Sequence, residues 1–369
     1  VTAFSRTIDD WVRELAPFGK EANVRRALRS LYRLEASAAW ELPELGADLA
    51  RELERQRVRA DLPLVHEISQ GEDGTEKLLV AAAGGKVETV LIPEVRREAS
   101  MVKMNASLGH TLRDRSRRPR RAAGCISTQL GCAVGCTFCA SGLLGLARNL
   151  TASELVGQVL LLRGRARARG HLLATVVFMG MGEPLHNTDE LVLALTNLTD
   201  PWGAGYGASL LTVSTVGVTA GMERLARLGP RAPNLALSLH APDDATRARI
   251  IPLPRLPGAR EALQAGRDYA RATRRFVTVS YVLLDGVNDS PEQADELSRL
   301  LEGSGFHVNL IPWNAVPGLA FAPSPRERAQ AFWERLRARG TSCHFRKARG
   351  AKADAACGQL RRRDAGATA

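Results

Sequence analysis

From residue 125 to about residue 345, two kinds of apolar run take turns along the chain. Short runs rich in β-branched residues read as buried strands: "ATVVFMG" (174–180), "LLTVSTV" (210–216), "NLALSLH" (234–240), "FVTVSYVLL" (276–284) and "HVNLIPW" (307–313). Between them lie stretches with helical spacing, among them "TDELVLALTNL" (188–198), "AGMERLARLG" (220–229), a segment near 258–272, "EQADELSRLLEGSG" (292–305) and "RERAQAFWERLRARG" (326–340). "TASELVGQVLLLRGRARARG" (151–170) opens on a capping box, Thr151 to Glu154. Strands joined through helices, in units of about 25 to 40 residues, pair in parallel. The class is therefore α/β, and about six such units suit a full or partial β/α barrel. Such folds gather their chemistry at the C-terminal ends of the strands. Gly182, Glu183, Ser214, His240 and Asn314 sit at such ends.

The flanks differ from this core. Residues 1–75 show helical spacing in "TIDDWVRELAPFG", "ANVRRALRSLYRLEA" and "LPELGADLARELERQ", which implies a small helical accessory domain with basic faces. Residues 76–124 hold a hairpin, "KLLVAAAGGKVETVLI" (77–92) turning on Gly-Gly, and then an Arg-rich stretch. Arg113 to Arg121 carries six arginines in nine residues, either a solvated loop or a phosphate contact. Residues 125–345 form the core, and 346–369 a C-terminal segment.

The formal charge of +12 suggests a polyanionic partner, nucleic acid first, although a high-Arg coding bias would produce the same excess. The longest apolar runs, "LVGQVLLL" and "LLATVVFMGM", are too short to cross a bilayer. The opening stretch has early acids and no long apolar run, so no secretory signal is expected and a cytoplasmic location is.

Six cysteines fall at 125, 132, 136, 139, 343 and 357. Clustered cysteines without an export signal point to metal or redox chemistry. Cys132, Cys136 and Cys139 are spaced C-x3-C-x2-C, with Phe138 before the last. Zinc would need a fourth ligand, which Cys125 could in principle supply. The spacing is unusual for zinc, however. A [4Fe–4S] cubane held by three thiolates leaves one iron open to a small molecule, and this reading is favoured. Cys343 reads as a small apolar filler, and His171, His186 and His307 lack metal-ligand spacing.

The three-cysteine loop resembles the radical S-adenosylmethionine (SAM) signature. The stretches "VETVLIPE" (87–94), "CISTQLGCAVGCTFCASG" (125–142), "RNLTASELVGQV" (148–159), "FMGMGEPLHN" (178–187), "VSTVGV" (213–218), "LALSLHAPDD" (235–244), "YVLLDGVND" (281–289), "NLIPWN" (309–314) and "DAACGQL" (354–360) are similar to one branch of it. That branch is the RlmN/Cfr family of radical SAM RNA adenine methyltransferases, and the likeness is greatest to the RlmN type. It covers about 85–362, with one interruption.

The resemblance implies a partial (β/α)6 radical SAM barrel. It implies a [4Fe–4S] cluster on Cys132, Cys136 and Cys139 and SAM as cofactor. Gly182, Glu183, Ser214, Ser238, Leu239, His240 and Asn314 would line the SAM site, with Glu183 facing the ammonium. Ring carbons C2 and C8 of adenine are poor nucleophiles, so a radical route is needed. In the family a first SAM methylates a cysteine, matched here by Cys357; a radical from a second SAM activates that methyl group, and a protein–RNA thioether forms. A second cysteine, matched by Cys125, then attacks the Cys357 sulfur and releases the methylated base, leaving a disulfide for external reductant. Glu88 matches the proton acceptor.

The implied substrates are an adenine of the 23S rRNA peptidyl-transferase centre and the tRNA adenine 3′ of the anticodon. The base would be flipped out or exposed. A flavodoxin-type electron donor and a monomeric state are expected, and residues 1–75 are expected to contact RNA. The basic stretches 163–170, 271–275, 346–352 and 361–363 fit such a substrate, or are solvated faces. "GMGEPL" and "IPWN" occur in the RlmN type, so C2 is the expected carbon; C8 methylation of the Cfr type and a paralogue with another RNA target are the alternatives. A non-catalytic metal-stabilised RNA binder would need neither Cys125 nor Cys357. One departure stands out: Glu88 and Cys125 are 37 positions apart, with the Arg-rich stretch between them, where family members have a short link.

Overall fold

The computed structural model describes residues 1–94, 120–143, 145–345 and 358–360. Its strands are β1 (Val65–Gln70), β2 (Glu76–Ala82), β3 (Gly85–Pro93), β4 (Arg120–Cys125), β5 (Gln129–Gly131), β6 (Leu146–Asn149), β7 (His171–Phe178), β8 (Leu211–Thr215), β9 (Asn234–Ser238), β10 (Val277–Leu283), β11 (His307–Pro312) and β12 (Cys343–Phe345). Its α-helices are α1 (Ile8–Leu15), α2 (Glu21–Arg33), α3 (Ala47–Arg55), α4 (Ala152–Ala168), α5 (Thr188–Thr199), α6 (Thr219–Ala226), α7 (Asp244–Ile250), α8 (Ala259–Thr273), α9 (Pro291–Leu301) and α10 (Arg326–Ala338).

One sheet runs β1-β2-β3-β4-β7-β8-β9-β10-β11-β12, and β5–β6 is a separate hairpin. From β4 to β12 every neighbouring pair is parallel. Each successive pair is joined by a crossover that carries at least one α-helix. Helices on the crossovers cover the sheet, which is why the strands read as nearly unbroken apolar runs. Leu235, Leu237, Val279, Tyr281, Val308 and Leu310 are fully buried. Among the described residues β1 and β12 are the two edges, so the sheet is an open, partial barrel of the α/β class.

The Thr151–Glu154 capping box starts α4: Thr151 Oγ1 accepts from the Glu154 amide at 3.3 Å, and Glu154 accepts from the Thr151 amide at 2.8 Å. Glu154 also receives both Arg148 Nη atoms, at 2.8 and 2.6 Å. Arg148 in turn reaches Ala83 O at 2.6 Å, at the tip of the β2–β3 hairpin. The "RNLTASE" stretch therefore ties that hairpin to the barrel.

The first 75 residues are not helical throughout. Helix ends at Arg55, and β1 extends the sheet by pairing antiparallel with β2. Its short alternating run, with a half-buried pattern, carries a weak sequence signal. The helical part shares one continuous apolar core with the sheet, from Phe4 and Trp11 through Leu155 and Leu198. Asn197 of α5 joins the two by donating to Phe4 O at 3.2 Å and Arg6 O at 3.0 Å.

The stretch 163–170 also differs from expectation. Arg163 donates to Tyr32 O and Ala204 O and stacks on Tyr206. Arg165 and Arg169 both pair with the buried Glu76. These arginines are engaged inside the fold, which the charge pattern alone could not reveal. Stretches 346–352 and 361–363 lie outside the described residues.

Replacing Asn197 by Ala strands two buried carbonyls, each worth about 1–3 kcal/mol when left unpaired. A lowered Tm in thermal unfolding, with the N-terminal helices losing amide protection first, is the expected result; an unchanged Tm would show that the junction lies elsewhere.

Candidate active site

The chain leaves β4 at Cys125 and enters the cysteine loop at the C-terminal rim of the parallel strands. Glycines shape this loop. Gly131 has φ +88°, and a Cβ there would lie 1.9 Å from Gly145 O. Cys132 N donates to Gly145 O at 3.1 Å, and the β5–β6 pairing closes the loop. Thr137 N donates to Ile250 O, and Trp313 Nε1 donates to Phe138 O at 2.9 Å. The "IPWN" stretch after β11 thus holds the aromatic residue that precedes Cys139.

Burial pushes the Cys132 thiol up to about 11, with the Cys139 charge adding to the effect. Burial, then Cys139 and Cys132, push Cys136 well above the ordinary thiol range. These mutual effects show that the loop brings the three sulfurs together. Three neighbouring, half-buried thiols ionise together only around a compensating positive centre. The donor set therefore fits an iron–sulfur cluster with three thiolate ligands. Among the described residues no group of three His, Cys, Asp or Glu side chains converges on a single metal ion. A cubane binds each thiolate to a different iron and does not ask for that convergence.

The turn after β7 is built against the exit of β4. Gly180 N donates to Ile126 O at 3.0 Å, and a Cβ on Gly180 would meet that oxygen at 2.7 Å. Gly182 has φ +103°, and its Cβ would fall 2.6 Å from Gln129 Cβ, so only glycine fits. Gln129 accepts from the Glu183 amide at 2.8 Å. Glu183 is buried; its carboxylate accepts from Leu185 N at 3.0 Å and Val216 N at 2.9 Å. Burial nevertheless raises its pKa to about 7. Such a carboxylate is completed by a bound cation, and an ammonium group suits it.

Ser214 and Ser238, at the ends of β8 and β9, are linked through their hydroxyls at 3.2 Å. Leu239 is fully buried, so only its backbone can serve the site. His240 has φ +61° and accepts from Val282 N at its Nδ1, 3.0 Å, which leaves Nε2 carrying the proton. Burial, aided by Arg247, lowers its pKa to about 3. Its ring meets Phe138 edge-on at 5.0 Å. His240 thereby joins the strand ends to the cysteine loop. Asn314 is half-buried, directly after Trp313.

Glu88 and Cys125 come together despite their separation in sequence. β3 pairs antiparallel with β4, with Val90 opposite Cys125, and Glu88 shares the face of Val90. Ser127 Oγ donates to Glu88 O at 2.6 Å and accepts from Met181 N at 2.9 Å, so one hydroxyl ties β3 to the turn after β7. Both ends of the Arg-rich stretch lie at the opposite end of the pair, where Glu94 N donates to Arg121 O at 2.8 Å. Residues 95–119 and Cys357 lie outside the described residues. The residue after Cys357 does not: Gly358 O accepts from Ala140 N at 2.8 Å, beside Cys139, and Leu360 O accepts from Ser141 Oγ at 2.6 Å.

Three contributors were not singled out from the sequence. Arg247 is 1 % exposed and donates to Val216 O, Leu239 O, Ser238 O and Pro257 O. Within "DATRARI" it looks like any helix arginine. Asn288 is fully buried and donates to His240 O at 2.7 Å and Val282 O at 2.6 Å; its presence in "YVLLDGVND" was the available signal. Gln158 of α4 exchanges two 3.0 Å bonds with the Ser127 backbone. Cys343 is half-buried against the core and its thiol is raised to about 11 by burial, in keeping with a filler.

A parallel sheet with a three-cysteine loop at its C-terminal rim defines a radical SAM enzyme, and the Radical SAM superfamily model matches residues 126–298. A probable dual-specificity RNA methyltransferase RlmN 1 of Opitutus terrae is 40% identical over 96% of this chain and 95% of its own length. A dual-specificity RNA methyltransferase RlmN of Sorangium cellulosum is 38% identical over 96% and 94%. The crystal structure of a radical SAM methyltransferase from Sphaerobacter thermophilus matches with a TM-score of 0.81 at 38% identity, over 97% of this chain and 98% of that one. The chain belongs to the RlmN family of radical SAM RNA methyltransferases. Among the described residues no helix is long and apolar enough to cross a membrane.

Arg247→Met would leave a set of buried carbonyls unpaired at once. We expect loss of more than about 3 kcal/mol of stability, read as a fall in Tm together with faster hydrogen exchange at Leu239 and His240. His240 has a folded-state pKa below its unfolded value. Its contribution to stability is therefore complete above about pH 6.5 and is lost as pH falls toward 3. NMR should show no titration of this ring between pH 5 and 8; a midpoint in that range would contradict the buried neutral imidazole.

Proposed function

We propose that the chain methylates C2 of adenine in the peptidyl-transferase centre of 23S rRNA, and the adenine 3′ of the tRNA anticodon, through S-methyl Cys357. Cys132, Cys136 and Cys139 would hold a [4Fe–4S] cluster. Glu183 would hold the SAM ammonium, with Gly182, Ser214, Ser238, the Leu239 backbone, His240 and Asn314 around the rest of the cofactor. Bound together, cluster and SAM supply the radical that activates the methyl group on sulfur.

The protein's own residues then do three things. Cys357 carries the methyl carbon to the base. Glu88 accepts the proton that leaves the ring carbon. Cys125, as a thiolate, attacks the Cys357 sulfur: an S–S bond forms, the bond from that sulfur to the transferred CH2 carbon breaks with its electron pair going to carbon, and that carbon takes up a proton to leave as the methyl group of the base. His240 stays neutral beside a cationic cofactor, so it adds no repulsion. RNA contacts are assigned to the helical N-terminal region as well as to the strand-end rim.

The observation that carries this reading is the bond from Ala140 N to Gly358 O. It supports delivery of the preceding residue, Cys357, to the rim that carries the cysteine loop. A merely structural metal site gives no reason for a distant C-terminal segment to be held there.

Mapping of rRNA and tRNA adenines by mass spectrometry, in cells with and without the gene, tests the assignment. Loss of 2-methyladenosine at both sites is expected; an unchanged map, or loss of 8-methyladenosine, overturns it. With anaerobically reconstituted protein, peptides containing Cys357 should gain 14 Da from SAM (one CH2, on the order of a single methylation). Cys357→Ala should abolish RNA methylation, whereas Cys125→Ala should accumulate a covalent protein–RNA adduct visible on a denaturing gel.

A further inference from the structure

A buried ion pair sits on the same sheet face as Cys125. Lys77 Nζ lies 3.2 Å from Glu88 Oε1, and the two side chains are 6% and 1% exposed. Register explains the meeting. Lys77 lies opposite Val90 on one side of β3, and Cys125 lies opposite Val90 on the other. Glu88 is two residues from Val90, so Lys77, Glu88, Val90 and Cys125 share one face. Diagonal cross-strand neighbours of this kind lie about 7–8 Å apart, within reach of a lysine.

The opposite face has a different character. Glu76 points there and is engaged by Arg165 of α4 and by Arg169, which caps its C-terminal end. Gly124 faces the same way, where a Cβ would meet Leu162 of α4. That side is the ordinary packing surface under a helix. The Lys77–Glu88 pair belongs to the other side.

We infer that Lys77 is a positioning residue for the reaction: its ammonium holds the Glu88 carboxylate in place to take the proton from the adenine ring carbon. The inference rests on the reading of Glu88 as proton acceptor. A buried ion pair is weak as a stabilising device, because desolvation offsets the attraction. Its geometric consequence is stronger, since a charge-assisted contact at this distance fixes the direction in which the carboxylate faces. In the step itself the proton passes from carbon to a carboxylate oxygen, and the C–H electron pair stays in the ring.

β2 contributes Lys77, with Leu79 directly opposite Glu88. β4 contributes Cys125, and the loop after it Ser127, which bonds the Glu88 backbone. The turn after β7 contributes Met181, whose sulfur accepts from the Glu88 amide at 3.4 Å.

The test uses the reconstituted holoenzyme with its RNA substrate and follows base methylation at one pH near neutrality. Lys77→Met should slow methylation about 100-fold or more, the usual worth of a positioned base. Lys77→Arg, which keeps a donor at that place, should restore most of the rate. Methylation of Cys357 by SAM and cleavage of SAM should stay near wild type in both variants, which certifies the fold. Lys77→Gln reads the same loss should the methionine variant not fold. A slowed Glu88→Gln beside a wild-type rate in Lys77→Met overturns this inference alone. A wild-type rate in Glu88→Gln overturns the reading of Glu88 and takes the inference with it.

Discussion

The site depends on one buried guanidinium. Parallel strands end with their carbonyls pointing along the strand direction, so the rim of such a sheet is rich in unpaired acceptors. Arg247 reaches back from α7 and donates to Val216 O beyond β8, to Ser238 O and Leu239 O at the end of β9, and to Pro257 O before α8. One side chain thereby fixes the two strand ends that carry Ser214, Ser238 and His240. Full burial pulls its pKa down to about 10, while Cys136 and Asp244 pull the other way. A planar donor fork can satisfy several carbonyls in one plane, and lysine could not.

That clamp permits an arrangement of charge that would otherwise be unstable. The cysteine loop gathers thiols that burial and mutual repulsion keep protonated. Glu183 stands near them, also held up by burial. His240 adds no positive charge, because Val282 N occupies its Nδ1 and burial keeps it neutral. The rim of the strands therefore gathers more acidic groups than the one guanidinium of Arg247 offsets. An iron–sulfur cluster and a sulfonium cofactor with an ammonium group are complementary to that excess. The family to which the chain belongs uses both.

Much of this was legible in the residues. The alternation of strand and helix runs marked the parallel sheet, because burial on both faces leaves a near-continuous apolar signal. The C-x3-C-x2-C spacing stood out by its three thiols and "GMGEP" by its resemblance, and in the fold Gly180 and Gly182 of that stretch are forced by contacts under 3 Å. Other elements carried no local signal. β1 is short and half-exposed, and joins the sheet only because β2 offers it an edge. Arg163, Arg165 and Arg169 look like a free basic surface in a linear reading, but the Tyr32 carbonyl engages Arg163 and the buried Glu76, far away in sequence, pairs with Arg165 and Arg169. Arg247 is hidden for the same reason: nothing local tells a helix arginine which carbonyls lie across from it.

The long gap between Glu88 and Cys125 shows how antiparallel pairing can protect a site from an insertion. β3 and β4 meet over Val90 to Pro93 and Ala122 to Cys125. The added residues are spliced in at the Pro93–Ala122 end, where Glu94 N closes on Arg121 O. Three residues of strand, roughly 10 Å, separate that junction from the level of Cys125. Ladder bonds, the Ser127 hydroxyl and the Thr89–Cys125 contact at 2.8 Å fix the upper end independently of the connection below. Register in such a pair is set by which face must be buried, since a one-residue slip would drive Lys77, Glu88 and Cys125 under α4. The length of the connection is free to vary so long as that register holds, so the 37 positions between Glu88 and Cys125 leave the residues on this face where the ladder puts them.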